Sequence, residues 1–138
     1  MVAKRLILDA NILARAVLGV RVRALIERYA ADVAFFVPES AIAETREHLP
    51  AILQKRRLPA DQALEVLEHL RAFLQELPLG FYADQEAQAR SRLADPEDWP
   101  VLACALILEC PIWTEDRDFF GTGVATWTSE RVEIFLSA

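Results

Sequence analysis

The run Trp99 to Leu108 (WPVLACALIL) carries no charge on any face. As a helix it cannot lie on a surface, because a helix that is apolar all round has to be covered by protein on most sides. Acids bracket it: Asp95, Glu97 and Asp98 come before, and Glu115, Asp116 and Asp118 follow the short apolar Pro111-Ile112-Trp113. The order is acidic turn, buried helix, buried strand, acidic turn, and the rest of the chain must be arranged around it. Pro100 restricts where the helix begins. A start at Pro96 would carry Pro100 beyond the tolerant first turn, so the start lies between Glu97 and Trp99. Asp98 is then expected at or beside the N-cap. Helix-start chemistry alone explains acids there, since they suit the positive end of the helix dipole.

Upstream, Lys4 to Leu8 reads as a buried strand ending in the polar turn Asp9-Ala10-Asn11. A short helix is expected over Ile12 to Leu18 with Asn11 as its cap, then a second over Arg21 to Ala31. Val33 to Val37 is a continuous apolar strand closed by Pro38, and Glu39 to Leu53 restarts a helix. Lys55-Arg56-Arg57 reads as a basic loop. Ala63, Leu64, Leu67, Leu70, Leu74 and Leu77 follow helical spacing, which predicts one long amphipathic helix over Ala60 to Leu77. A weak strand over Leu79 to Tyr82 and a helix over Gln85 to Leu93 lead into the central stretch. A last strand, Val124 to Trp127, precedes a helix capped by Ser129 and running through Leu136.

Short apolar strands alternating with helices point to an α/β fold, a parallel sheet covered on both faces. In such sheets ligands bind beyond the carboxyl ends of the strands. Asp9 ends the first strand and Asp116 follows Pro111 to Trp113, so both fall on that rim. Asp98 opens the helix that feeds the second of these strands, and spacing alone assigns it to the opposite rim.

The net charge of −6 is the wrong sign for a protein that holds nucleic acid through a basic surface. An acidic rim needs either protonation or a cation. Two like charges about 4 Å apart cost about 4 kcal/mol at an effective dielectric near 20. Oxygen ligands without His or Cys suit a hard ion such as Mg²⁺ or Mn²⁺. His48 and His69 fall among charged helix neighbours and read as surface residues. Cys104 and Cys110 show no metal-binding spacing and are expected to be free, buried thiols. No apolar run reaches the length of a membrane span, and the first residues do not have the pattern of a signal peptide, which places the chain in the cytoplasm without membrane contact.

Four segments, in order, resemble those of the PIN domain family, and in particular the VapC-type toxin ribonucleases. Leu6-Ile7-Leu8-Asp9-Ala10-Asn11 is similar to the opening strand and first acid. Pro38 to Glu44 (PESAIAE) is similar to the helix that carries the second acid, at Glu44. Asp98 followed by Leu102, Ala103 and Ala105 is similar to the third acid and its small-residue helix. Trp113 to Phe119 (WTEDRDF) is similar to the segment bearing the fourth acid, Asp116, with Asp118 as accessory. The resemblance spans nearly the whole chain as one domain, residues 1–138. It implies a three-layer α/β/α sandwich with about five parallel strands.

The resemblance also implies a catalytic set of Asp9, Glu44, Asp98 and Asp116 that, with Asp118, holds one or two Mg²⁺ or Mn²⁺ ions. It moves Asp98 into the cleft, leaving Asp95 as a substitute ligand and Glu115 as an exposed charge. Asn11, Thr114 and Arg15 are expected to position substrate. Arg21, Arg23 and the Lys55 to Arg57 segment are expected to steer the remainder of the strand. The implied activity is metal-assisted hydrolysis of RNA phosphodiesters, in a homodimer or higher oligomer restrained by a small antitoxin protein. Val22, Leu25, Ile26 and Tyr29, with Val66 and Phe73, exceed one apolar stripe per helix and are expected either to form a groove for that partner or to serve the domain's own core or a homodimer.

Other acid-rich α/β classes fit less well. A phosphate-accepting receiver domain needs a late lysine, and the only lysines are Lys4 and Lys55. A phosphatase with an aspartate nucleophile wants Asp where Asn11 stands. A PIN-like module that binds RNA or protein without cutting, or a housekeeping RNA-processing nuclease, remains the alternative.

Overall fold

A computed structural model describes residues 3–138; residues 1 and 2, part of the expected domain, lie outside the described residues. Leu6, Ile7 and Leu8 are fully buried in the first strand, β1 (Lys4–Leu8). Such a run, with no polar alternation, requires cover on both faces. Successive side chains of a strand point to opposite faces. Leu6 and Leu8 accordingly join one core, with Phe35 and Trp113, while Ile7 joins the other, with Ile112 and Phe119.

The first core lies under α1 (Ala10–Leu18), α2 (Arg21–Tyr29), α3 (Glu39–Arg56), α4 (Ala60–Leu70) and the C-terminal α8 (Val132–Ser137). The second lies under α5 (Leu79–Tyr82), α6 (Glu86–Arg92) and α7 (Trp99–Leu108). The architecture is therefore the expected α/β/α sandwich. Among the described residues β1, β2 (Val33–Pro38), β3 (Leu74–Leu77), β4 (Ile112–Trp113) and β5 (Thr126–Trp127) form one parallel sheet in the order β3-β2-β1-β4-β5. The chain steps from β1 outward to β3, then returns to place β4 on the other side of β1. That reversal makes the β1/β4 boundary the topological switch point, where the crevice of an open α/β sheet lies.

The frame identified from the uncharged run holds. α7 starts at Trp99, and Val101 to Ala105 are all buried. Cys104 and Cys110 are free and buried, and burial pushes their thiols up to about 12 and about 11. They stay protonated and unreactive at neutral pH. His48 and His69 are exposed, as expected. No helix among the described residues is long and apolar enough to cross a membrane.

Several element boundaries differ from expectation. The predicted helix Ala60–Leu77 stops at Leu70, tightens into a 3₁₀ turn over Arg71–Phe73, and continues as β3. Leu74 and Leu77 keep helical spacing, but they are the two buried ends of a four-residue strand paired with Phe35 and Pro38. The ladder with β2 thus overrides local periodicity. Arg71 staples the turn, reaching back to Glu68 at 3.1 Å and forward to Glu76 at 2.8 Å. Leu79 to Tyr82 is a short helix, not a strand; its first amide donates to Glu39 at 3.1 Å.

The basic Lys55-Arg56-Arg57 is not a loop. α3 runs through Pro50 to Arg56, and Arg57 closes it in the left-handed conformation. Helix α1 begins at Ala10, one turn corner earlier than expected, with Asp9 as N-cap in place of Asn11. Ser129 makes no cap; its hydroxyl accepts from the Trp113 indole at 3.1 Å.

Of the uses expected for the surplus apolar residues, the domain's own core is the one found. Val22, Leu25 and Ile26 are buried in the first core, and Tyr29, Val66 and Phe73 pack against it. Tyr29 directs its hydroxyl to Glu133 at 2.6 Å. The surplus apolar residues are used because α2 must cover two neighbours, α1 and α8, and not one.

Candidate active site

Asp9 leaves β1 at the switch point, its amide donating to the Trp113 carbonyl of β4 at 3.1 Å. Its carboxylate is buried, so its orientation must be fixed by donors, and three converge on it. The Ala10 amide reaches Oδ1 at 2.7 Å; the Thr114 hydroxyl and the Asn11 amide reach Oδ2 at 2.8 and 3.1 Å. An ionised carboxylate offers about four acceptor positions, so capacity remains for a ligand. Burial raises the Asp9 pKa, the Thr114 and Ala10 hydrogen bonds oppose that, and the Asp116 and Glu44 charges add to it.

Thr114 follows β4 directly and ties the two acidic turns together. Besides donating to Asp9, its oxygen accepts from the Asp116 amide at 2.9 Å and from Asn11 at 3.3 Å. Asp116 then caps the next turn, accepting from the Asp118 amide at 2.9 Å. The short turn Thr114 to Asp118 therefore leaves β4 on a fixed path that brings Asp116 near enough for its charge to raise the Asp9 pKa.

Asp98 stands on the same rim, not on the opposite one that spacing alone assigns. A crossover helix carries the chain from the rim where one parallel strand ends to the rim where the next begins. The start of α7 is therefore at the carboxyl ends of the strands, although the helix feeds β4 at its other end. Asp98 is the residue before α7, yet its side chain makes no cap hydrogen bond. The capping acceptor is Asp95, which takes the Glu97 amide at 3.1 Å and starts a 3₁₀ turn over Pro96–Asp98. In that conformation residues three apart eclipse, so Asp95 and Asp98 share a face.

A cleft of about 360 Å³ is lined by Asp9, Glu44, Asp95, Glu97 and Asp98, with Ser40 and Ala41 at the start of α3. Glu44 enters from the exposed side of α3. Carboxylate oxygens of Asp95, Asp98 and Asp118 lie within 4.8 Å of one another, close enough to share one cation. Burial, then the charges of Asp116, Asp9, Asp95 and Asp118, push Asp98 up to about 7. The donor set is oxygen only, which matches Mg²⁺ or Mn²⁺ and excludes a zinc site of the usual N/S type.

Of the residues singled out from sequence, Asp9, Glu44 and Asp98 line the cleft; Asp118 approaches Asp98, and Asp116 lies near enough for its charge to raise both Asp9 and Asp98. Asn11 and Thr114 face Asp9. Arg15 does not join them: it lines a separate cavity with Arg21 and Arg56. Asp95, held in reserve as a substitute, belongs to the cluster itself; its three-residue spacing from Asp98 across a proline turn was the available signal. Glu115 is not an exposed charge. It is half-buried, its carboxylate accepts from the Ser129 amide at 2.7 Å, and its own amide donates to Asn11 at 3.3 Å.

Residues 7–137 match the model of the PIN domain family, and the chain belongs to that family. No curated protein sequence matches it. Among solved structures, PAE2754 from Pyrobaculum aerophilum is similar at 15% identity and a TM-score of 0.74, over 98% of this chain and 90% of that one. VapBC2 from Rickettsia felis, solved bound to a DNA fragment from its promoter, is similar at 12% identity and a TM-score of 0.66, over 90% and 98%. A toxin–antitoxin complex from Klebsiella pneumoniae is similar at 16% identity and a TM-score of 0.64, over 89% and 96%. At these identities the likeness is one of fold.

Proposed function

We propose that this protein is a divalent-metal-dependent endoribonuclease that hydrolyses RNA phosphodiester bonds, and that it is the toxin half of a type II toxin–antitoxin pair. The observation that carries the chemistry is the gathering of Asp9, Glu44, Asp98 and Asp118 with Asp116 at the switch point, without a histidine or cysteine among them. Support for the toxin role comes from the toxin–antitoxin complexes that share the fold. On this reading the chain is one PIN domain over residues 1–138, acting in the cytoplasm as a homodimer or larger oligomer held inactive by a small antitoxin.

Asp9, Glu44, Asp98, Asp116 and Asp118 would hold one or two Mg²⁺ or Mn²⁺ ions, with Asp95 as a further donor. Such an ion supplies an activated water, neutralises phosphate charge and stabilises the leaving oxygen. The chain's part is to hold the acids in place before the substrate arrives. Thr114 and Asn11 act through Asp9, fixing its oxygens and thereby the position of the phosphate. Asp98, pushed up to about 7, is partly protonated near neutral pH and would ionise fully when positive charge enters the cleft. Arg15 contacts the substrate strand outside the acidic centre.

The test is cleavage of RNA by the purified protein with Mg²⁺ or Mn²⁺, abolished by a chelator and by Asp9→Asn. Either ion should also raise the melting temperature of the intact protein by binding the folded state preferentially. An intact protein that binds neither ion and cuts no RNA refutes the reading. For the toxin role, expression alone should arrest growth and co-expression of the neighbouring small gene product should restore it.

A further inference from the structure

Arg15 on α1, Arg21 in the first turn of α2 and Arg56 in the last turn of α3 line one open cavity of about 440 Å³, floored by Gly19 and Val20 and bounded by Ser129. These cations come from three separate helices, so their meeting is a product of the fold and not of a local basic run. Among the described residues none of the three forms an ion pair with a carboxylate, so all three guanidinium groups keep donors for a ligand. In a chain with a net charge of −6 acidic partners are abundant. Crowded carboxylates can relieve repulsion by taking up protons, but a guanidinium cannot shed its own. A cavity lined by three permanent cations favours an anion.

The cavity is joined to the acidic centre. Arg21 reaches the Ser129 carbonyl at 3.5 Å; the Ser129 amide donates to Glu115, the Glu115 amide to Asn11, and Asn11 to Asp9. Arg15 also follows Asn11 by four residues on α1, the same helix face about 6 Å along the axis. A strand whose phosphate sits at Asp9 would pass this cavity with its neighbouring phosphates. Arginine forks match phosphate oxygens in pairs.

We propose that Arg15, Arg21 and Arg56 form a phosphate-binding subsite for the flanking backbone of a single-stranded RNA. The proposal rests on the nuclease reading for its choice of strand, not for the existence of the site. The structure also sorts the candidates named from sequence. Arg23 and Arg57 do not line this cavity; the Arg23 guanidinium donates instead to the Ala16 carbonyl at 3.4 Å.

The experiment is fluorescence anisotropy of a labelled single-stranded RNA with chelator present, so that binding is measured without cleavage, across a series of salt concentrations. Each phosphate contact contributes about 0.7 to the slope of log affinity against log salt for a single strand. The triple variant Arg15→Gln/Arg21→Gln/Arg56→Gln should lose roughly 2 from that slope and bind more than tenfold more weakly at low salt. Arg23→Gln should bind as the parent does. All three side chains are exposed, and matched melting curves verify the fold; if the triple variant melts early, the single variants carry the same test at about 0.7 each. A folded triple variant with unchanged affinity and slope overturns the subsite. Binding of poly-glutamate as tight as RNA, and lost in the same variant, assigns the cavity to an acidic protein segment and overturns it equally. A parent that binds RNA through these arginines but cuts nothing with Mg²⁺ or Mn²⁺ supports the subsite and defeats the nuclease reading. A parent that cuts, with a triple variant that binds and cuts as before, does the reverse.

Discussion

The end of β1 and the start of α7 present Asp9 and Asp98 to one cleft; burial raises the pKa of both, but the fold fastens only Asp9. Asp9 is buried, fastened by Ala10, Asn11 and Thr114, and its hydrogen bonds oppose the rise in pKa that burial imposes. Asp98 makes no cap bond, and burial with four neighbouring acids pushes it up to about 7. One carboxyl group is therefore fixed in orientation in advance, while the other, pushed up to about 7, is governed by its burial and by its neighbours' charges. A site built of five identical Asp98-like groups would lack a fixed reference point. Five Asp9-like groups would carry more repulsion than a fold of ordinary stability, about 5–15 kcal/mol, can hold without an ion.

The largest effect should come from removing the fixed member. Asp9→Asn is expected to lower RNA cleavage by about a thousandfold or more, equivalent to at least about 4 kcal/mol. Initial rates under saturating Mg²⁺ or Mn²⁺ measure this. The same change should destabilise the domain by about 1–3 kcal/mol, because an amide keeps only one acceptor oxygen and its NH2 must face either the Ala10 amide or the Thr114 and Asn11 donors. Asp9→Asn with parental activity would end the distinction between the two acids.

Thr114→Val tests whether fastening matters apart from charge. It removes the donor to Asp9 and the acceptor for the Asp116 amide. Activity should fall by about 10–100-fold, the usual cost of losing a partner that orients a ligand. The acidic limb of the pH–rate profile should move to higher pH, since the bond that holds the Asp9 pKa down is gone. Thr114→Ser should restore both. A valine variant with the parental profile would show that Asp9 needs no fastening.

The Asp98 side of the comparison is read through stability in chelator. Its folded-state pKa of about 7 exceeds the ordinary 3.8. The folded protein thus binds more protons than the unfolded chain between these values, and stability falls as pH rises through that window. Asp98→Asn removes the loss. Metal-free variant and parent should melt together near pH 4 and separate as pH rises, the variant being more stable at pH 8. Solvent screening of a half-buried group limits the gain to on the order of 1 kcal/mol. Curves that stay parallel from pH 4 to 8 would mean that Asp98 is an ordinary surface acid.

Glu115→Gln should have the smallest effect. The neutral oxygen can still accept from the Ser129 amide, so activity stays within a few-fold of the parent and stability falls by about 0.5–1.5 kcal/mol. A loss of activity matching Asp9→Asn would promote Glu115 to the acid set, against its direction away from the cleft.

Local pattern by itself determined much of this protein. The uncharged run Trp99 to Leu108 demanded a buried helix, and the unbroken apolar character of Leu6 to Leu8 demanded a sheet covered twice; both are consequences of hydrophobic burial, which acts on residues wherever they lie. Asp9 and Asp116 were placed on one rim because each ends a strand, and parallel strands end together. Glu44 was legible only through resemblance, since nothing local separates it from a solvated helix charge. Tertiary structure decided what depends on partners distant in sequence. Leu74 and Leu77 satisfy helical spacing equally well, and only the β2 backbone beside them makes them a strand. Val22, Leu25 and Ile26 look surplus until α1 and α8 both pack on them. Asp95 joins Asp98 because a 3₁₀ turn eclipses residues three apart, and Arg15, Arg21 and Arg56 meet because three helices end where they do. Hydrogen-bond ladders, packing and charge clusters of this kind are pairwise terms between remote residues, and a one-dimensional pattern does not contain them.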